Sequence, residues 1–170
     1  MKKLSIALVT LVCVTLVCAA CGKQNPIVGT YYYTFSEAEI ENTRLSLEYI
    51  GKTPEERDKF IEDMQNECFV KIDNNGYTLQ LITPYPSDPE ERILTLKGTY
   101  TSDGSTISFS VDDNVFENYY NTHSKSGAFL GIAPEQVKES MSIVNKEYSI
   151  SDDYKTLTNK QKENDIFKKR

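Results

Sequence analysis

The stretch "GTYYYTFS", Gly29 to Ser36, decides how the fold begins. Its Tyr, Phe and Thr residues favour a β-strand, and a period of two places Tyr31, Tyr33 and Phe35 on one face. Three aromatic rings on the inner face of a sheet either fill a core or form the wall of a cavity. The sequence leaves both alternatives open and makes these three residues candidates for ligand binding.

Two helix starts follow this strand and predict a helical hairpin over residues 37–67. Ser36 followed three residues later by Glu39 has the pattern of a capping box. The second helix is predicted to begin with Thr53 as its N-cap and Pro54 at its first position.

Beyond the hairpin, the sequence changes to short alternating segments separated by turns. "DNNG" (Asp73–Gly76) and "SDGS" (Ser102–Ser105) are two such turns. Between the turns, apolar residues alternate with Ser, Thr, Lys or Gln, and the apolar positions include Leu79, Leu96 and Phe109. One-sided alternation over seven or eight strands indicates an antiparallel meander with one face in a core. We therefore predict a mainly β fold, an antiparallel up-and-down barrel or failing that a sandwich, in which residues 165–169 close the sheet.

Residues 112–134 interrupt this alternation. The segment contains four aromatic residues, including Tyr119 and Tyr120, and we interpret it as a long aromatic loop followed by a helix over 135–146. Loops of this length in a compact domain are usually functional or disordered, and the aromatic content disfavours disorder. Tyr119 and Tyr120 are therefore further candidates for binding.

The first twenty residues have the pattern of a secretory signal peptide, with an apolar segment shorter than the roughly 20 residues that span a membrane. The sequence "CAACG" that follows resembles the lipobox of bacterial lipoproteins, with Cys18 at the position usual for Leu. The resemblance implies that residues 1–20 are removed, that Cys21 is lipidated, and that residues 21–26 form a tether. The alternative is an ordinary secretory signal with an incidental cysteine.

Charge and cysteine content narrow the class of protein. The formal net charge of −6 becomes −8 once Lys2 and Lys3 leave with the signal peptide. Nucleic-acid binding requires a basic face, so we predict no nucleic-acid partner. Cys68 is then the single unmodified cysteine, and we expect a buried, inert thiol rather than a disulfide. Residues 27–170 suit one domain.

Catalytic and metal-binding motifs are missing from the sequence. His123 is the single histidine and lies in a polar segment, where we expect it to be solvated. Nucleophile elbows, HExxH and phosphate-binding glycine loops do not occur. Adjacent acids such as Asp112–Asp113 adjoin turns, where capping explains them. We predict a protein that is not an enzyme and that uses no metal and no cofactor.

Gly29-Thr30-Tyr31 resembles the Gly-x-Trp motif that opens the first strand of lipocalins and fatty-acid-binding proteins, with Tyr31 in place of Trp. The resemblance implies that Tyr31 plugs the closed end of a barrel and that a basic residue covers its ring, for which Arg170 is a candidate. The predicted helical hairpin is similar to the lid of fatty-acid-binding proteins. "DNNGYTLQL" and "DDYKTLTN" resemble hairpins of small lipocalin-like bacterial lipoproteins. The likeness spans residues 27–170.

Two functions fit these expectations. In the first, a lipid-anchored protein of the cell envelope binds a small apolar or aromatic ligand inside the barrel, beneath the hairpin 37–67. This hypothesis predicts a cavity of about 300–1,000 Å³. In the second, a filled barrel contacts an envelope protein or polysaccharide through residues 112–134. The expected location is the periplasmic face of the outer membrane, with the cell surface as the alternative.

Overall fold

The structure, a computed structural model, describes residues 25–82, 92–125, 129, 131–141 and 143–170. The predicted signal peptide, Cys21 and the Pro-rich segment 84–91 lie outside this part of the chain. The described strands are β1 (Gly29–Tyr33), β2 (Phe69–Ile72), β3 (Tyr77–Ile82), β4 (Ile93–Ser102), β5 (Thr106–Ser110), β6 (Glu147–Ile150), β7 (Thr156–Asn159) and β8 (Ile166–Lys169). The described helices are α1 (Glu37–Tyr49), α2 (Pro54–Glu67), α3 (Asp113–Lys125) and α4 (Pro134–Ser140).

The eight strands form a closed barrel. Each strand pairs with its neighbour along the chain in antiparallel orientation, and β8 pairs with β1 to complete the ring. This closure aligns Tyr31 with Lys169 and Tyr33 with Phe167. It confirms the predicted up-and-down barrel, including closure of the sheet by residues 165–169. A closed antiparallel barrel with helices between β1 and β2 is consistent with the lipocalin-like fold that the resemblance implied.

Alternation along the strands directs the apolar side chains into one core. Leu79, Leu96 and Phe109 belong to a single cluster, and each is at most 2 % exposed. Burying a side chain of this size contributes roughly 1.5–3 kcal/mol. Gly98 allows the Tyr77 ring to cross β4, because a Cβ atom at position 98 would lie 2.5 Å from that ring. The prediction that these alternating residues share an interior is confirmed.

The two helices between β1 and β2 begin as predicted. Ser36 and Glu39 form a reciprocal capping box at α1, and Thr53 and Glu56 form another at α2. The two helices pack against each other through a second, smaller cluster, whose buried members are Leu47, Phe60, Met64 and Cys68. Cys68 is free and buried, as expected, and burial raises the pKa of its thiol to about 11.

The interpretation of residues 112–134 as a loop is wrong, because α3 occupies Asp113–Lys125. The Asp112 carboxylate begins this helix by accepting hydrogen bonds from the backbone N–H groups of Asn114 and Val115. The helix is then held by packing, since Phe116 and Tyr119 are buried in the barrel core.

The predicted helix over 135–146 is shorter than expected and ends at Ser140. Two nearby residues, Ile143 and Asn145, have φ values of 75° and 52°, in the left-handed region that a continuing α-helix excludes. The Asn145 side chain accepts a hydrogen bond from the backbone N–H of Val111, at the end of β5. The chain therefore leaves the helix early in order to return to the barrel.

The connections between strands differ at the two ends of the barrel. At one end, called the closed end below, the connections are the short turns 73–76, 103–105 and 151–155. At the other end, called the mouth, lie all four described helices and the turn 160–165. None of the described helices has the length and apolar character needed to cross a membrane.

Candidate ligand-binding site at the barrel mouth

A cavity of about 430 Å³ lies at the mouth. It is bounded by the mouth ends of β3, β4 and β8, by the first turn of α1, and by α4 with the residues that precede it. Its apolar lining includes Tyr33, Phe35, Leu81, Leu94, Met141 and Phe167. Its polar lining residues are Glu39, Ser140 and Lys162. The volume falls within the range of small-molecule sites.

Aromatic rings fill the barrel below this cavity. Phe167 packs edge-on against both Tyr33 and Tyr148, with ring centroids 5.1 and 5.9 Å apart. Phe109 continues the series, 5.8 Å from Tyr148 and 5.0 Å from Tyr77. Edge-to-face pairs of this kind stabilise a core beyond their buried area. These rings fill the interior beneath the mouth cavity.

The candidate residues Tyr33 and Phe35 lie together in the cavity wall. Their ring centroids are 4.6 Å apart in an edge-to-face arrangement. The Tyr33 hydroxyl donates a hydrogen bond to Glu39 Oε1 at 3.0 Å, which fixes the ring against the start of α1. Both rings are only partly buried, so each presents a face toward the cavity.

Tyr31 lies at the closed end and does not line the cavity. Its ring is fully buried, and its hydroxyl is 3.0 Å from the carbonyl oxygens of both Ile27 and Tyr154. Lys169 Nζ lies 4.8 Å from the ring centroid and donates hydrogen bonds to the carbonyls of Pro26 and Val28. Burial raises the pKa of Tyr31 to about 12. This is a plug rather than part of the cavity wall.

The residue that covers Tyr31 is Lys169, and the expectation of Arg170 is wrong. The Arg170 guanidinium instead lies 4.4 Å from the centroid of Tyr32, on the opposite face of β1. It donates hydrogen bonds to Gln65 and Asn66 and so ties the end of α2 to the barrel. The physical reason is parity, because adjacent strand residues point to opposite faces.

Tyr119 and Tyr120 lie on α3 and do not line the mouth cavity. Tyr119 is 6 % exposed, and its ring contacts Phe116, His123 and Phe129. Tyr120 is half-buried, stacks on Phe129 and donates its hydroxyl hydrogen to the Ile132 carbonyl. His123, expected to be solvated in a loop, is therefore a partly buried helix residue. The two tyrosines support the wall of the cavity from behind, because Phe129 and Ile132 line it.

The polar lining residues differ in how many of their donors and acceptors already have a hydrogen-bond partner. Glu39 Oε2 accepts from the Ser36 backbone N–H and hydroxyl, both at 2.8 Å. Burial opposes ionisation of Glu39, but these hydrogen bonds, the one from Tyr33 and the charge of Lys162 together lower its pKa. Ser140 donates to the Val137 carbonyl. Lys162 was not singled out from the sequence, because a lysine in a polar turn carries no distinguishing signal.

A buried polar cluster supports the turn that carries Lys162. Asp165 Oδ2 accepts hydrogen bonds from the Tyr148 hydroxyl and the Asn159 side chain, each at 2.8 Å. The backbone N–H of Asp165 donates to the Lys162 carbonyl at 2.8 Å. Asp165 and Asn159 are only 2 % and 3 % exposed, so the turn is anchored in the core.

The acidic residues that adjoin turns do not form a metal site in the described part of the chain. No group of three His, Cys, Asp or Glu side chains converges there as a metal site would require. Asp112 caps α3, and Asp113 pairs with Lys138. The Ser151 hydroxyl donates to Asp153, whose pKa is lowered mainly by that hydrogen bond. Asp112, Asp113 and Asp153 therefore each have a structural partner.

Comparison with known proteins adds no relative: the chain matches no protein-family model, no curated protein and no solved structure.

Proposed function

We propose that this chain is a lipid-anchored protein of the cell envelope, related to small lipocalin-like bacterial lipoproteins, which binds a small apolar or aromatic ligand at the barrel mouth. The observation that carries the binding proposal is the cavity of about 430 Å³ lined mainly by apolar and aromatic side chains. Such concave, mostly apolar surfaces with a few polar groups are typical of ligand sites. The proposal includes no catalytic step.

The filled interior limits what the ligand can be. Because Phe167 and the rings beneath it occupy the barrel, a ligand would contact Tyr33 and Phe35 from the mouth and would not enter the depth of the barrel. A compact molecule, or the terminal part of a longer one, fits this geometry. The candidates Tyr31, Tyr119 and Tyr120 then support the site without touching the ligand.

The alternative function, an interaction module that uses residues 112–134, has less support. Its contact residues would have to face outward, yet Phe116 and Tyr119 are buried in the core. The Tyr120 hydroxyl is also engaged with Ile132. These residues therefore support the barrel more than they offer a contact surface.

A blocking substitution tests the binding proposal. Ile132 lines the cavity and is 43 % exposed, so Ile132→Trp should fill the cavity without disturbing the core. Val115 is 42 % exposed on α3 and does not line the cavity, which makes Val115→Trp a matched control. Equilibrium dialysis with the neutral aromatic probe N-phenyl-1-naphthylamine should show binding that only Ile132→Trp weakens, by about tenfold or more. Equal binding by both variants would contradict the proposed site.

A second experiment tests for a natural ligand. Protein purified from its native envelope would be denatured and the released molecules identified by mass spectrometry. Recovery of an apolar or aromatic compound from the wild type, and much less of it from Ile132→Trp, supports the proposal. Failure of the wild type to yield a compound or to bind the probe would overturn it.

The lipid anchor has its own test. Cells that express the full chain would be given a labelled fatty acid, and the label should enter the wild type and Cys18→Ser but not Cys21→Ser. Two or three acyl chains anchor a protein durably, because each buried methylene contributes about 0.8 kcal/mol. Label retained by Cys21→Ser would contradict lipidation at that residue.

A further inference from the structure

We infer that the ligand of the mouth cavity is an amphiphile with an anionic head group, carboxylate or phosphate, which Lys162 binds at the rim. This inference rests on the proposed function, since it names the class of ligand for the same cavity. Lys162 and Glu39 are the two charged residues among its described lining residues. They differ in whether their hydrogen-bonding atoms are available to a ligand.

Glu39 is already occupied. Its two carboxylate oxygens accept three hydrogen bonds at 2.8–3.0 Å, from the Ser36 backbone, the Ser36 hydroxyl and the Tyr33 hydroxyl. These bonds close the capping box of α1 and hold the Tyr33 ring in place. A cationic ligand would have to compete with these hydrogen bonds. Glu39 therefore stabilises the start of α1 and the Tyr33 ring and is not the group that binds the ligand.

Ser140, the third polar residue of the lining, is also engaged. Its hydroxyl donates to the Val137 carbonyl at 2.8 Å, which is a hydrogen bond within its own helix. A serine oxygen can still accept a weak contact, but its donor is used. It therefore supplies little recognition of an anion.

The three N–H donors of the Lys162 ammonium group have no acceptor in the described part of the chain. The ammonium group makes no hydrogen bond or ion pair with the described residues, and its electrostatic effect there is on Glu39. The nearby lysine Lys160, by contrast, is paired with Glu147 at 3.1 Å. Of the two charged residues among the described lining residues, Lys162 is therefore the one that makes no hydrogen bond through its side chain there.

The turn places this charge where it can meet a ligand whose body lies in the cavity. Asp165 and Asn159 are buried and bonded to each other, and the Asp165 N–H donates to the Lys162 carbonyl. Phe167, two residues beyond Asp165, lines the same cavity. A ligand could therefore place its apolar body against Phe167 and Leu81 and its charged end beside Lys162 at the rim. It would then use both the apolar and the charged lining of the cavity.

A head-group series with one constant hydrocarbon body tests this inference. Decanoate, decyl phosphate, 1-decanol and decylammonium would be measured by isothermal titration calorimetry at low salt, below their critical micelle concentrations. We expect the two anions to bind about fivefold more tightly than the alcohol, and the cation to bind more weakly still. The two anionic arms also decide between carboxylate and phosphate.

Substitution of the lysine should remove this preference. Lys162→Gln should lose about fivefold in affinity for the preferred anion and leave 1-decanol unchanged, and Lys162→Arg should retain the preference. Lys71→Gln is the matched control, because Lys71 is an exposed lysine without a described partner on β2, away from the cavity.

The outcomes separate the two proposals. If all four molecules bind equally, or the cation binds best, the anionic head group is wrong while the apolar site stands. The same holds if Lys162→Gln leaves the anion preference intact. If none of the four binds the wild type while N-phenyl-1-naphthylamine does, the amphiphile inference is wrong and the apolar site stands; if the aromatic probe also fails to bind, the proposed binding function itself fails.

Discussion

The closed end and the mouth of this barrel are built in different ways. At the closed end, short turns are fixed by their own side chains, as where Asp103 accepts hydrogen bonds from the backbone of Ser105 and Thr106. Tyr31 plugs the interior there beneath Lys169. At the mouth, long connections with four helices surround a cavity. One end is closed by local geometry, and the other depends on packing between segments distant in sequence.

This difference separates stability from binding. At the closed end, Tyr31 is fully buried and its hydroxyl is hydrogen-bonded, so removing its ring should lower the free energy of unfolding strongly. The mouth contains partly buried rings and polar groups that a ligand could reach. Regions with fewer buried contacts open more easily, which suits a site that must admit a molecule.

The largest effect is expected at the plug. Tyr31→Ala would remove a fully buried ring together with its contact to Lys169, and should lower the free energy of unfolding by about 3–5 kcal/mol. Urea-induced unfolding followed by circular dichroism measures it. Tyr49→Ala is the control, because Tyr49 is 92 % exposed and should change stability by less than about 0.5 kcal/mol. Similar losses in both variants would show that the closed end is not held by this ring.

A smaller effect is expected where the mouth is anchored to the core. Tyr148→Phe would leave the buried Asp165 carboxylate with one fewer donor and should cost about 1–3 kcal/mol. The same unfolding experiment applies. If the mouth is anchored as described, the variant should also show faster hydrogen exchange in residues 160–165 than at the closed-end turns. Uniform protection at both ends would contradict this anchoring role.

The sequence predicted the features that are set by local chemistry. Ser36 with Glu39 and Thr53 with Pro54 determine helix starts within four residues, and "DNNG" determines a turn by itself. Alternation around Leu79 and Leu96 predicted a barrel or failing that a sandwich, because a sheet with one apolar face must curl or stack to bury it.

Some features that depend on distant contacts were not predicted. Helix α3 contains aromatic and Asn residues of weak helix propensity, so its helical state comes from packing of Phe116 and Tyr119 on the barrel. Lys169 and not Arg170 covers the Tyr31 ring because the register of β8 on β1 pairs Tyr31 with Lys169. Alternation along β8 places Lys169 on the same face as Phe167, so this residue could have been identified from the sequence. Nothing in "NKQKEND" marks Lys162, because a turn residue acquires its role from what the turn faces.

A still smaller change in stability is expected from substitution of Glu39 at the mouth. Glu39→Gln would weaken the capping box and its bond from Tyr33, lowering stability at neutral pH by about 1 kcal/mol. The pKa of Glu39 is lowered below its ordinary value of 4.5, so its contribution is complete above that pH and disappears as the pH falls through the lower, folded value.

The pH dependence distinguishes this role from a general loss of charge. Thermal unfolding between about pH 7 and pH 3 should show the wild type approaching Glu39→Gln in stability at the acidic end. Glu37→Gln is the matched control, because Glu37 lies in the same helical turn and makes no described hydrogen bond or ion pair. A constant difference between the wild type and Glu39→Gln at every pH would contradict the assignment.

The smallest effect compares one buried hydroxyl at each end. Tyr119 at the mouth and Tyr77 at the closed end both carry a buried hydroxyl without a hydrogen-bond partner in the described part of the chain, and burial raises the pKa of each. A buried polar group without a partner costs free energy, so Tyr119→Phe and Tyr77→Phe should each leave stability unchanged or raise it by up to about 1 kcal/mol. Urea unfolding of both variants checks this. If Tyr119→Phe alone is destabilised, a water or a ligand group reaches that hydroxyl from the mouth, and the two ends differ in solvent access as well as in architecture.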